Sequence, residues 1–146
     1  MKKLLFTVLG LLSLATITFA QNQYELNTGW VCKNVKEIKD NGTAISKNNY
    51  SVKNWMSAVV PGTVLTTLLE NKKIPDPFYG MNNNKIPDIY FTGKETYTYW
   101  FLKDFTEMPA KGEEQVWLNF RGINYSCDVY LNGKKLNQEL FKGMFL

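Results

Sequence analysis

The second half of the chain alternates apolar and polar residues with period two, and this pattern constrains the fold more than any other feature. Thr96 to Leu102 (TYTYWFL) put Tyr97, Tyr99 and Phe101 on one side and Thr96, Thr98 and Trp100 on the other. Gln115 to Phe120 (QVWLNF) repeat the pattern with Val116, Leu118 and Phe120, and Cys127, Val129 and Leu131 alternate with Asp128 and Tyr130. Successive side chains of a strand point to opposite faces, so period two predicts half-buried antiparallel strands. Asn132-Gly133 follows the last of them. Both residues tolerate positive φ, which predicts a hairpin turn leading into 134–140. Roughly six or seven short strands follow from the alternation rule, and such spacing predicts an all-β sandwich.

The first half is less regular. Residues 22–30 are polar and end on Trp30, and 35–50, rich in Lys, Asn, Asp and Gly, read as strand ends joined by an exposed loop with a turn at Asn41-Gly42. Trp55 to Val60 resemble a short strand stopped by Pro61-Gly62. In Thr63 to Glu70 (TVLTTLLE), Val64, Leu65, Leu68 and Leu69 recur at helical spacing. Thr63 is a candidate N-cap and Asn71 a candidate stop, so one helix of about two turns is expected, too short to stand without packing on something larger. Ile74 to Pro87 (IPDPFYGMNNNKIP) hold three prolines and three consecutive asparagines, which argue against a regular element. Phe78, Tyr79 and Met81 in that loop are expected to hold it against a surface.

Residues 1–20 (MKKLLFTVLGLLSLATITFA) are expected to be a cleaved signal peptide. Lys2 and Lys3 form a basic start, Leu4 to Leu14 an uncharged apolar core, and Thr18 and Ala20 the small residues before a cleavage site. The apolar run is shorter than the roughly 20 residues that span a bilayer, so no membrane association is expected after cleavage, and the destination is periplasmic or extracellular. The first 20 residues carry two lysines and no acid, so removing them lowers the formal charge from +4 to +2. No basic cluster remains to suggest a nucleic-acid partner. The remaining 126 residues suit one domain, 21–146.

Function classes fall away quickly. The chain has no histidine, which removes His-based triads, Cys–His pairs and His metal sites. No C-x-x-C, P-loop, dinucleotide fingerprint or D-x-D-x-D run occurs, so no cofactor and no metal are expected. The thirteen acids include no marked pair of the kind a glycosidase sets across a glycosidic bond, so no catalytic residue is assigned. Cys32 and Cys127 are expected as two free thiols in the interior, because nothing brings them together. Sequons at Asn41, Asn49 and Asn124 read as chance features of an Asn-rich chain. Trp100 and Trp117 are expected in the core or a domain interface before any role in sugar stacking.

The order of several segments carries a resemblance. Val60-Pro61-Gly62-Thr63-Val64, a helix, then Asp76-Pro77-Phe78-Tyr79-Gly80-Met81-Asn82 is similar to the P-G-T-V helix and D-P-x-x-G-x-N loop of glycoside hydrolase family 2 enzymes of the β-mannosidase and exo-β-glucosaminidase type. Tyr97 to Phe101 resemble the family's aromatic strand, with Tyr99-Trp100 in the place of Trp-Tyr. Leu118 to Ile123 with Asp128 to Gly133 resemble its L-x-F-x-G-I and D-V-x-L-N-G segments, and Gly143-Met144-Phe145 its G-x-F. The likeness runs over roughly residues 55–146, and these motifs in order carry it.

The resemblance implies a galactose-binding-like jelly-roll sandwich that is the non-catalytic N-terminal domain of an exported β-glycosidase. The catalytic glutamates would lie in a barrel outside this chain, which would stop before the jelly roll is complete and be aggregation-prone alone. The implied partners are the enzyme's remaining domains and a β-linked glycan at the pocket edge, touched by Asp76 and Asn82. The family commonly has an acid after the Asn of that loop, whereas Asn83 and Asn84 follow here. Asp76 is also expected to hydrogen-bond its own loop. The alternative is a free-standing, lectin-like carbohydrate-binding module without hydrolase activity.

Overall fold

The computed structural model describes residues 23–112 and 114–137, together with the backbone of Phe141 and Lys142. The expected leader at 1–20 and the Gly143-Met144-Phe145 motif lie outside the described residues. Among the described residues there are seven short strands: β1 (Val31–Asn34), β2 (Met56–Ser57), β3 (Tyr99–Leu102), β4 (Ser126–Cys127), β5 (Tyr130–Leu131), β6 (Lys134–Lys135) and β7 (Phe141–Lys142). They form an antiparallel three-stranded sheet in the order β2-β1-β3 and two antiparallel pairs, β4-β7 and β5-β6.

Cys32 shows why the sheet is ordered this way. β1 is the central strand, and Cys32 sits opposite Met56 on one side and Phe101 on the other. Flanked on both edges, it is fully buried. Burial alone pushes its thiol up to about 11, so the sulfur is a small apolar filler. Both cysteines are free, as expected, with Cys127 half-buried.

Among the described residues three α-helices occur where one was expected: α1 (Gly42–Ile45), α2 (Val64–Glu70) and α3 (Ile89–Thr92), together with 3-10 turns at Val35–Glu37, Asn82–Lys85 and Lys94–Tyr97. In α2 the chemistry of the cap is the expected one. Thr63 accepts from the Thr66 amide, Thr66 Oγ1 accepts from the Thr63 amide at 2.8 Å, and Asn71 ends the helix. Of the residues at helical spacing, Val64, Leu68 and Leu69 are half-buried, but the centre of the buried face is shifted. Thr67 is fully buried while Leu65 is exposed, because the helix docks through hydrogen bonds to the β2 segment. Thr67 Oγ1 accepts from the Val59 amide at 3.1 Å, and Asn71 Nδ2 donates to the Ser57 carbonyl at 2.8 Å. That turns Val64, Thr67, Leu68 and Asn71 inward and leaves Leu65 on the far side.

Asn41-Gly42 is a helix start, not a strand turn: the Asn41 side chain accepts from the Ala44 amide at 3.0 Å. Gly42 is buried beneath Tyr130, whose ring would lie 2.4 Å from any Cβ at that position. Tyr130 in turn meets Trp100 edge-to-face, centroids 5.9 Å apart. The Gly133 amide donates to Ser46 Oγ at 3.0 Å. Tyr130 thus joins α1, β3 and the β5-β6 hairpin. The hairpin itself is as expected: Leu131 pairs with Lys134 across Asn132 (φ 48) and Gly133 (φ 82).

The strand expected at Gln115–Phe120 is absent from all three sheets. Val116 and Trp117 are 62% and 70% exposed, so Trp117 is not a core residue in this chain. Alternation gives a segment two faces, but whether it joins a sheet depends on the rest of the fold. Thr96–Tyr97, expected as the start of β3, instead close a 3-10 turn after Gly93.

Candidate functional site

The loop 74–87 follows α2 and leads into α3. Its turns are built from short polar side chains. Asp76 Oδ1 accepts from the Phe78 amide at 2.9 Å and its carbonyl from the Tyr79 amide at 3.3 Å. This is an Asx turn, the local bond expected for Asp before Pro. Gly80 takes a φ of 56, which favours glycine. Met81 and the three asparagines then form successive turns, ending in the Asn82–Lys85 3-10 turn where no regular element was expected. That geometry needs only three residues per turn, which a proline-free run of asparagines supplies.

Asn82 is half-buried, and its Oδ1 accepts from Lys85 Nζ at 3.1 Å. Asp76 is exposed at the entry of the loop. The loop leaves through Asp88, whose Oδ1 accepts from the Tyr90 amide at 2.8 Å and caps α3. The Tyr97 hydroxyl donates to the Pro87 carbonyl and ties the exit of the loop down. Burial first, then the charge of Asp88 and the neighbouring Tyr99, push the Tyr97 hydroxyl above its usual value, which keeps it a donor.

A groove of about 430 Å³ runs beneath the two roots of the loop. Ile74 and Pro87 line it together with Leu68, Tyr97, Tyr99 and Lys73. Neither Asp76 nor Asn82 reaches it; both belong to the outer arm.

The apolar residues of that arm are not held against a surface in this chain. Phe78 is 95% exposed, with Tyr79 and Met81 also bare. Tyr90 and Phe91 on α3 are equally open. Nothing in the sequence distinguishes Tyr90 and Phe91 from ordinary core residues; only their exposure marks them. Among the described residues, no group of three His, Cys, Asp or Glu could hold a metal ion, and no helix is long and apolar enough to cross a membrane.

Residues 30–146 match the model of the glycosyl hydrolase 2 galactose-binding domain-like family. The chain is 49% identical over 123 residues to a mannosylglycoprotein endo-β-mannosidase of Lilium longiflorum, covering 82% of this chain and 13% of that protein. It is 32% identical over 109 residues to an exo-β-D-glucosaminidase of Streptomyces avermitilis, covering 75% of this chain and 11% of that protein. Among solved structures, the Amycolatopsis orientalis exo-chitosanase in complex with PNP-β-D-glucosamine superposes with a TM-score of 0.55 at 25% identity, covering 75% of this chain and 12% of that one. The chain therefore spans about an eighth of the length of these relatives.

Proposed function

The chain belongs to the glycosyl hydrolase 2 galactose-binding domain-like family, the non-catalytic N-terminal part of such glycosidases, and we propose that its role is to complete the substrate pocket of an exported β-mannosidase-like enzyme. The observation that carries this reading is the disproportion of the matches. Relatives named as β-mannosidase and β-glucosaminidase align with most of this chain through about an eighth of themselves. Hydrolysis of the β-glycosidic bond then belongs to residues outside this chain, through the two carboxyl groups such chemistry requires.

In this reading, residues 1–20 are a signal peptide that sends the protein to the periplasm or beyond, and 21–146 are a jelly-roll sandwich whose remaining strands lie further along the protein. The arm with Asp76 and Asn82 borders the sugar. The bare aromatics Phe78, Tyr79, Tyr90 and Phe91 support an arm that meets other surfaces, since exposed apolar patches mark sites of contact.

Expression of this chain beside the product of the open frame that contains it tests the reading. Aryl β-mannoside or β-glucosaminide turnover is expected from the longer product only. Turnover by residues 21–146, lost on replacing one Asp or Glu within them, would overturn it. Extension by several further strands should also sharpen a broad thermal transition; a sharp reversible melt of the chain alone would contradict an incomplete sandwich.

A further inference from the structure

The bare apolar residues fall into two sets that differ in their backbone. Val116 and Trp117 lie in a segment that alternates like a strand and joins none of the three sheets, so what completes it is another strand. In residues 76–92 the backbone is already folded into closed turns, and it is the side chains that lack cover. We infer that Phe78, Tyr79, Met81, Tyr90 and Phe91 are a docking surface on which the following domains of the same polypeptide seat; this rests on the reading of the chain as the first part of a longer glycosidase.

Each ring is carried on a closed turn. The Phe78 amide donates to Asp76 Oδ1 at 2.9 Å and the Tyr79 amide to the Asp76 carbonyl at 3.3 Å. The Tyr90 amide donates to Asp88 Oδ1 at 2.8 Å and the Phe91 amide to the Asp88 carbonyl at 3.1 Å. Between them the Tyr97 hydroxyl ties down the Pro87 carbonyl. A surface ordered before contact loses little freedom on docking. Its composition is that of an interface core, rich in Phe, Tyr and Met and poor in charge: from Phe78 to Phe91 the charged residues are Lys85 and Asp88, and Asp88 caps α3. Phe78, Tyr90 and Phe91 are 95%, 92% and 89% exposed. Four aromatic rings offer roughly 600–1,000 Å², which matches the ~800 Å² that each partner gives to a stable interface. Relatives align with most of this chain through about an eighth of themselves, so in them the matching segment is joined to a body several times its size. A tethered body meets the surface at a high effective concentration, an advantage that a second copy lacks.

The test uses the longer product of the open frame that contains this chain, footprinted with hydroxyl radicals and read residue by residue by mass spectrometry, in its native state and unfolded in urea. Oxidation of Phe78, Tyr79, Tyr90 and Phe91 is expected to be roughly tenfold slower in the native protein, because the centre of an interface is packed like a protein interior. Phe78→Ser with Phe91→Ser should return Tyr79 and Tyr90 toward their unfolded rates, while Trp100, set edge-to-face against Tyr130, stays protected and verifies folding. Rings that oxidise at the unfolded rate in a product that cleaves aryl β-glycosides would overturn the inference and leave the glycosidase reading standing. Protection that disappears on dilution, with a dimer seen in sedimentation, would also overturn it, since the occupant would then be a second copy. Protection that persists in a monomer without turnover would uphold the docked arm and remove the glycosidase reading.

Discussion

The segment around Cys32 and the segment around Trp117 are built from similar residues and end in opposite environments. Val-Cys-Lys-Asn has almost no visible strand pattern, yet β1 is the central strand and Cys32 is completely enclosed. Gln115 to Phe120 carry a clear alternation, yet they join none of the three sheets and Trp117 is 70% exposed. Period two is a statement about the two faces of a segment. Which segment is enclosed depends on neighbours that arrive from elsewhere in the chain. Among the described residues only Cys32, Gly42, Ile45 and Thr67 are buried, and all four lie in the first half, the half with the weaker pattern.

Substitutions on the two sides should behave differently. The largest effect is expected at Ile45, which is 2% exposed. Ile45→Ala should lower stability by about 2–5 kcal/mol, read as a fall in the urea midpoint. A change within error would mean that α1 does not pack in solution as it does here.

Thr67→Val comes next. It keeps the shape but removes the acceptor for the Val59 amide, and should cost about 1–3 kcal/mol. If Thr67→Val is neutral while Thr67→Ala is not, volume rather than the hydrogen bond docks α2.

A smaller effect concerns pH. The Cys32 thiol is raised by burial from 9.0 to about 11. The folded state therefore favours the protonated thiol. That contribution is fully present below pH 9 and is lost as pH rises through about 11, the unfolded chain ionising first. Cys32→Ala should flatten this alkaline loss. Alkylation at neutral pH should also label the half-buried Cys127 before Cys32; faster labelling of Cys32 would show the central sheet opening.

The smallest effect is expected on the bare side. The pair Phe78→Ser and Phe91→Ser should change the urea midpoint by no more than about 0.5 kcal/mol equivalent, while reducing aggregation on heating. A loss matching that of Ile45→Ala would show these rings packed within the chain and would dissolve the contrast between the two regions.

The features legible in the sequence are those closed within a few residues. The Thr63–Thr66 capping box starts α2 after Pro61-Gly62, Asn132-Gly133 turns the β5-β6 hairpin, and Asp76 bonds the amide two residues on. Each depends on atoms that neighbours along the chain bring together whatever the rest does. The candidate site was legible to the same extent: its turn chemistry at Asp76 could be read, but the Asn82–Lys85 contact and the exposure of Tyr90 and Phe91 could not.

What the tertiary structure decided is everything that needs a distant partner. Tyr130 packs over Gly42 and buries the start of α1, and the hydrogen bonds of Thr67 and Asn71 to the β2 segment rotate α2 so that Leu65 faces out. Met56 and Phe101 enclose Cys32, while Gln115–Phe120 keep their alternation outside every sheet. A residue's type fixes its preference for burial, but its burial is a property of the neighbours it meets, and those arrive only when the chain has folded.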